Sequence, residues 1–312
     1  MNVVFLGTPA FAVPTLESLL SASDIEVLCV LSQPDRPSGR GQKLLPTPVK
    51  TVAQAAGLPV FQPEKLGKDL ELQAHLSSLA PDFFITVAFG QILTQAVLNI
   101  PKYGTVNVHA SLLPQLRGAN PIQWAILNGF AETGVTTMLT ERGVDTGAML
   151  LKATTPIGPE ETADALAERL SQLGGPLLLE TLRQFHTLTP TPQDHDAATH
   201  APKLTKEAAW LDWTHPADAL HRKIRGQQPW PGAQTLWQDQ PLKILAASVL
   251  PTAADPGHVW LEGKQVCVGT GQGSLELRTL QPPGKRPLPA LDWWRGLRVE
   301  RTQFSAPAEL LC

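Results

Sequence analysis

Short apolar runs alternate with amphipathic stretches through roughly the first 190 residues. Residues 2–6 (NVVFL) form a run too short for a buried helix and end at Gly7, which predicts a strand. At 11–21, Phe11, Leu16, Leu19 and Leu20 recur near helical spacing. Residues 25–31 (IEVLCVL) predict a second strand, and a polar loop rich in Gly and Pro follows over 33–47. Pro48 suits the first turn of the next helix, where its missing N–H has no bond to lose. Further strands are predicted at 60–61, 83–88, 105–109, 134–139 and 149–153, and helices at 69–79, 121–127 and 162–188, the last opening at a Thr cap. Strand and helix in turn predict an α/β fold built on a doubly wound, mostly parallel sheet. Such a sheet binds its ligands at the carboxyl ends of its strands.

At 189–202 (TPTPQDHDAATHAP) the pattern collapses into a stretch without apolar periodicity, read as a linker. Beyond Lys203 the texture changes to short β-like runs between turns, which predicts a small barrel. The expected organisation is thus a Rossmann-like domain over 1–188, a linker over 189–202 and a β-domain over 203–312. The first strand-to-helix turn, GTPAF, lacks GxGxxG, and no GxxxxGK[ST] occurs, so neither nucleotide-phosphate loop is present. The chemistry of this sheet lies elsewhere.

Composition narrows the classes. An apolar fraction of 43% is ordinary for a globular protein. Cys29, Cys267 and Cys312 lie far apart and form no CxxC or Cys/His cluster, so neither a disulfide framework nor a metal site is expected. No apolar run reaches the roughly 18 residues of a membrane span. The N-terminus enters a strand-like run without a charged leader, and a cytoplasmic protein is expected. The net charge of −3 hides an asymmetry: 1–202 carry 12 Lys/Arg and 18 Asp/Glu, whereas 203–312 carry 13 and 10. A basic C-terminal third gains meaning only if other observations call for an anionic partner.

The densest polar chemistry is NVHASLLPQLRGANP, residues 107–121. Alternation puts Asn107 and His109 on one face at the carboxyl end of a predicted strand. The later turn GVDTG holds Asp145 between glycines. An amide, an imidazole and a carboxylate are the groups that acyl transfer to an amine uses. The imidazole manages the amine's proton, the amide NH2 donates to the developing oxyanion, and the carboxylate orients the imidazole.

HASLLPQLRGANP, followed by ETGVT and GVDTG, resembles the signature of the folate-dependent formyltransferases. The resemblance implies catalytic roles for Asn107, His109 and Asp145 and 10-formyltetrahydrofolate as the formyl donor, with no metal. It implies a folate pocket formed with Ser111, Leu112, Leu113 and Pro114 and the loop Phe89, Gly90, Gln91, Ile92 and Leu93. Phe89 and Gln91 stand where Tyr and Leu are expected in the family.

Three further stretches, GTPAFAVPTLESLL, SQPDRPSGRGQKLLPTPVK and the run from APKLTKEAAW to QPWPGAQT, are similar to the branch of the family that formylates methionine on charged initiator tRNA. The likeness extends over nearly the whole chain. It implies that the loop with Arg36, Arg40 and Lys43 reads the weakly paired end of the acceptor stem, Arg40 inserting its planar fork. It further implies an OB-fold-like second domain, acting as part of a monomer, that holds the stem's phosphates through Lys203, Arg222, Lys223, Arg225, Lys285 and Arg286. Trp230, beside a turn, is either a stacking platform for a base or, the favoured reading, a residue of that domain's core. The same catalytic set would serve a transferase acting on an amino sugar or nucleotide, or a formyltetrahydrofolate hydrolase. A tRNA-binding module without activity would not need all three groups.

Overall fold

The computed structural model describes residues 1–38 and 43–307. The chain forms two compact units. The first comprises Met1–Pro121, Glu132–Pro156 and Ala167–Ala201. The second comprises Ile122–Ala131, Ile157–Leu166 and Pro202–Cys312.

In the first unit, strands β1 (Asn2–Gly7), β2 (Glu26–Leu31), β5 (Val60–Phe61), β6 (Phe83–Val87), β7 (Thr105–His109), β9 (Glu132–Leu139) and β10 (Met149–Pro156) make one sheet. Its order is β10-β9-β7-β6-β1-β2-β5. The chain builds outward from β1 through β2 to β5, then returns to lay β6 on the other side of β1. That reversal makes a topological switch point, where open α/β sheets hold ligands. The first five strands pair in parallel, while β9 runs antiparallel to β7 and β10 antiparallel to β9. Between β2 and β5 a hairpin of β3 (Arg36–Ser38) and β4 (Lys43–Leu45) stands apart from the sheet.

The local signals explain the helices. In α1 (Val13–Ser21) a proline sits in the first turn, and in α2 (Pro48–Ala55) Pro48 does so while the Thr47 side chain accepts from Lys50 N–H. The Asp69 carboxylate caps α3 (Leu70–Ser78) at Leu72 N–H. A short α4 (Gln95–Leu98) precedes β7, and α5 (Pro121–Leu127) follows it. The long helix α6 (Ala163–Gln184) contains Pro176. At Gly175 an added Cβ would stand 2.1 Å from Ser18 Oγ, so glycine is what lets α1 and α6 close together.

Residues 191–201, expected as linker, are tied to the first unit. Thr191 and Met149 exchange backbone hydrogen bonds, and β11 (His200–Ala201) pairs in parallel with β8 (Arg117–Gly118). The stretch lacks periodicity because its polar backbone and side-chain groups, not an apolar stripe, make the attachment.

The second unit is the small antiparallel barrel of OB-like character. Strands β12 (Ala233–Trp237), β13 (Gln240–Leu250), β14 (His258–Glu262), β15 (Gln265–Gly269), β16 (Ser274–Gln281) and β18 (Arg301–Gln303) run in the order β12-β13-β16-β15-β14-β18, with β17 (Leu288–Pro289) beside β16. Leu236 and Ser305 exchange backbone hydrogen bonds and so join the two ends of that order. Leu211, Trp213, Leu242, Ile244, Val268, Leu275, Trp293 and Phe304 fill the interior, with α7 (Ala217–Gly226) and α8 (Ala290–Leu297) contributing Leu220, Ile224, Trp293 and Trp294.

Candidate active site

The site begins with register. Asn107 lies opposite Thr86 of β6, and His109 ends β7. The Thr86 hydroxyl donates to Asn107 Oδ1 at 3.0 Å. That bond fixes the amide's orientation: the oxygen is spent, and Nδ2 faces Asp145 Oδ1 at 3.5 Å. Thr86 escaped the sequence reading because its importance depends on which strands are neighbours.

His109 is 6% exposed. Its Nε2 lies 3.0 Å from the Leu116 carbonyl. A carbonyl only accepts, so Nε2 carries a hydrogen and Nδ1 is the nitrogen free to exchange a proton. Nδ1 faces Asp145 Oδ2 at 3.6 Å. The same carboxylate oxygen accepts from Gly118 N–H at 2.9 Å. The structure therefore brings together the three residues that alternation and resemblance singled out, although Asp145 arrives from 36 residues beyond His109. Two of the surrounding residues, Leu116 and Asp145, have left-handed backbones (φ 59° and 53°) without being glycine. Such conformations persist only where neighbours over-determine them, and they gather at functional sites.

The residues assigned to the folate pocket divide into two groups. Phe89, Leu93, Ser111 and Leu113 are buried, so they shape the loops from behind. Ile92 is 79% exposed, an apolar side chain available to a flat ligand, and Gly90 has φ 83°. Leu112 and Pro114 are half-buried. Gln91, the departure from the family, accepts from Leu66 N–H and donates to the Pro63 carbonyl, both at 2.8 Å. Its side chain pins the neighbouring loop.

The basic residues also divide. Arg36 is exposed on β3, Lys43 begins β4, and Arg40 lies outside the described residues. Lys50, at the end of that loop, donates to Asp35 Oδ2 at 2.6 Å and to Gln62 Oε1 at 2.7 Å. The ammonium holds the Asp35 carboxyl below the ordinary carboxylate range. In the second unit Lys203, Lys285 and Arg286 are exposed. Lys223 and Arg225 depart from expectation. Lys223 Nζ donates to the Trp210 carbonyl at 2.6 Å, and Arg225 donates to the Glu161 carbonyl at 2.9 Å. Burial lowers both of their pKa values. Their charges tie the unit's own backbone together, because α7 turns that flank inward. Arg222 is half-buried, with Nε 3.4 Å from the Leu127 carbonyl. Trp230 is 45% exposed, not in the core as expected, since the prolines at 229 and 231 hold it in a surface turn.

Burial pushes the Cys29 thiol up to about 12 and the Cys267 thiol up to about 11, so neither is a ready thiolate. Among the described residues no cluster of three or more His, Cys, Asp or Glu could hold a metal, and no helix is long and apolar enough to cross a membrane.

In this chain an amide, an imidazole and a carboxylate converge at the end of β7 in a doubly wound sheet, the arrangement expected of a formyl transferase. Residues 1–182 match the formyl transferase family and residues 203–298 match the formyl transferase C-terminal domain, and the chain belongs to that family. It is 51% identical over 314 residues to the methionyl-tRNA formyltransferase of Synechococcus sp. (strain JA-3-3Ab), covering 96% of this chain and 97% of the relative. With the methionyl-tRNA formyltransferase of Trichormus variabilis (strain ATCC 29413 / PCC 7937) the identity is 48% over 326 residues, covering 96% and 97%. Among solved structures it is similar to WlaRD, a sugar 3N-formyl transferase in the presence of dTDP and 5-N-formyl-THF. That likeness has a TM-score of 0.66 at 17% identity, covers 92% of this chain and 99% of WlaRD, and concerns the fold alone.

Proposed function

We infer that the protein transfers the formyl group of 10-formyltetrahydrofolate to the amino group of methionyl-initiator tRNA. The observation that carries this reading is the convergence of Asn107 and His109 on one carboxylate, at 3.5 and 3.6 Å. In the proposed reaction the neutral methionyl nitrogen attacks the formyl carbon. Asn107 Nδ2 donates to the oxygen that becomes negative, a contribution realised mainly in the transition state. His109 Nδ1 handles the proton lost by the amine, and Asp145 stabilises the imidazolium while it lasts. The intermediate collapses by breaking the bond from the formyl carbon to N10 as N10 takes up a proton, leaving tetrahydrofolate. No covalent enzyme intermediate is needed, since the amine is itself the nucleophile.

The loops 89–93 and 111–114 are proposed to hold the folate, with Ile92 as an apolar contact and Gly90 allowing close approach. For the tRNA, Arg36, Arg40 and Lys43 are proposed to read the open end of the acceptor stem, and Lys203, Lys285 and Arg286 to contact its phosphates. Arg222 is proposed as a further contact, while Lys223 and Arg225 spend donors on the unit's own carbonyls. The near-full-length likeness to two methionyl-tRNA formyltransferases favours tRNA over an amino sugar as acceptor.

The test is incubation with formyl-labelled 10-formyltetrahydrofolate and methionyl-initiator tRNA. Label on the methionine amine is expected. Label released as formate without an acceptor, or passed to an amino sugar in preference, overturns the reading.

A further inference from the structure

Residues 183–202 fall between the two regions matched by the family. We propose that Gln193, within this stretch, is a positioning residue that holds Asp145 in its working orientation, with Arg117 as its anchor. The proposal rests on the formyl-transfer reading above.

Asp145 needs holding. It lies between β9 and β10 outside any strand or helix, so no ladder of regular backbone bonds fixes it, and its φ of 53° is left-handed, a region Asp enters more readily than most residues. Gln193 supplies the restraint. Its Nε2 donates to the carbonyl of Asp145 and to the carbonyl of Gly147, both at 2.8 Å. One amide nitrogen thus spans the turn on both sides of Thr146. Gln193 is 6% exposed, so these bonds are sheltered from water. Its other end is fixed as well, because Oε1 accepts from Arg117 Nε at 2.9 Å. A cation at the oxygen end leaves only the NH2 end to face the turn, and the amide cannot flip without losing all three bonds.

Arg117 in turn belongs to β8, which pairs with β11 through Arg117–His200 and Gly118–Ala201. Gly118 of that same strand donates its N–H to the Asp145 carboxylate. Residues 191–201 and β8 therefore grip Asp145 twice: Gln193 holds its main chain, and Gly118 holds its side chain. A glue residue of general kind would not concentrate its donors on one turn. Arg117, 5% exposed, is itself oriented by His195 Nδ1 at 3.3 Å from its NH1.

The experiment uses Gln193→Met, which keeps the volume and apolar stem but removes both polar ends, and Gln193→Glu, which keeps the Arg117 contact but sets an acceptor against two carbonyls. Amide exchange in the free full-length protein reports Asp145 without any substrate. The Gly118 N–H is expected to exchange at least ~10-fold faster in both variants, while Ala119 N–H, which bonds the Ala201 carbonyl, changes little. In the transfer assay kcat is expected to fall on the order of 10²-fold, the effect of a small misplacement, with both KM values within about twofold. In an Asp145→Asn background either Gln193 substitution is expected to cost nothing further, as a residue acting through Asp145 must. Unchanged Gly118 exchange, or kcat losses that add fully to that of Asp145→Asn, overturns the proposal. Failure of the unsubstituted protein to transfer formyl would instead sink the functional reading, and the exchange result would still decide whether Gln193 positions Asp145.

Discussion

Each polar group around His109 has one available orientation, and that is what makes its role testable. The Leu116 carbonyl claims Nε2, so proton exchange is left to Nδ1. His109→Ala is expected to lower kcat by roughly 10²–10⁴, the usual worth of an acid/base group, without loss of folate binding. A variant with near-normal turnover removes His109 from the mechanism. Thr86 acts one step back. Thr86→Val keeps the shape at β6 but frees Asn107 Oδ1, so the amide is free to flip and present oxygen to the oxyanion. About a tenfold drop in kcat is expected, on the scale of one lost hydrogen bond of about 1.4 kcal/mol, with tRNA binding unchanged. Unaltered kcat would mean that Asp145 alone orients the amide.

At the level of elements, the turn carrying Asp145 shows how tightly the backbone is specified. A Cβ on Gly147 would lie 1.8 Å from the Leu139 carbonyl oxygen, which closes the chain between β9 and β10. Gly147→Ala is expected to destabilise the first unit by about 1–3 kcal/mol, read as a lower denaturation midpoint, and to cost activity beyond that loss of folded protein. How much of this was legible in the sequence follows from where each bond closes. Strand alternation placed Asn107 and His109 on one face, because that relation is local and has period two. Pro48 announced α2 for the same reason. Gln193 gave no local sign: its partners are 46, 48 and 76 residues away, and its own stretch has a composition that reads as linker. Lys223 and Arg225 misled in the opposite sense, since a basic run on a helix does not say which flank turns inward. His221, on the same helix, carries a pH consequence. Burial lowers its pKa from 6.5, outweighing the opposing pull of Glu160, with Arg225 also lowering it and Asp218 raising it. In the window just below 6.5 the unfolded chain binds the proton more readily than the folded unit, so stability falls as pH drops through it. Thermal unfolding of the protein between pH 7 and 5 is expected to show a smaller decline in His221→Gln than in the unsubstituted chain. Parallel declines would show that His221 does not govern acid sensitivity.

Across the whole molecule, charge is distributed against its sum. The chain is net −3, yet the 13 Lys/Arg beyond residue 202 outnumber the 10 Asp/Glu there, and the remainder is acidic. An acidic remainder repels a polyanion and a basic C-terminal third attracts it, so the asymmetry would orient an encounter with one. Internal bonding makes that surface smaller than the count suggests, because Lys223 and Arg225 hold backbone carbonyls. What remains exposed includes Lys203, Lys285 and Arg286. Phosphate contacts release counterions, so the logarithm of the tRNA association constant falls linearly with the logarithm of salt, by about 0.7–0.9 for each phosphate neutralised. Lys285→Gln with Arg286→Gln is expected to flatten that slope by one to two such steps and to weaken initiator and elongator methionyl-tRNA alike, since phosphates carry no sequence. Arg40→Ala is expected to differ in kind: a loss of roughly 1–3 kcal/mol in productive use of initiator tRNA, with selectivity over elongator tRNA reduced. If the double substitution leaves the slope untouched, the phosphates rest on other residues. If Arg40→Ala weakens both tRNAs equally, that loop supplies charge and not recognition.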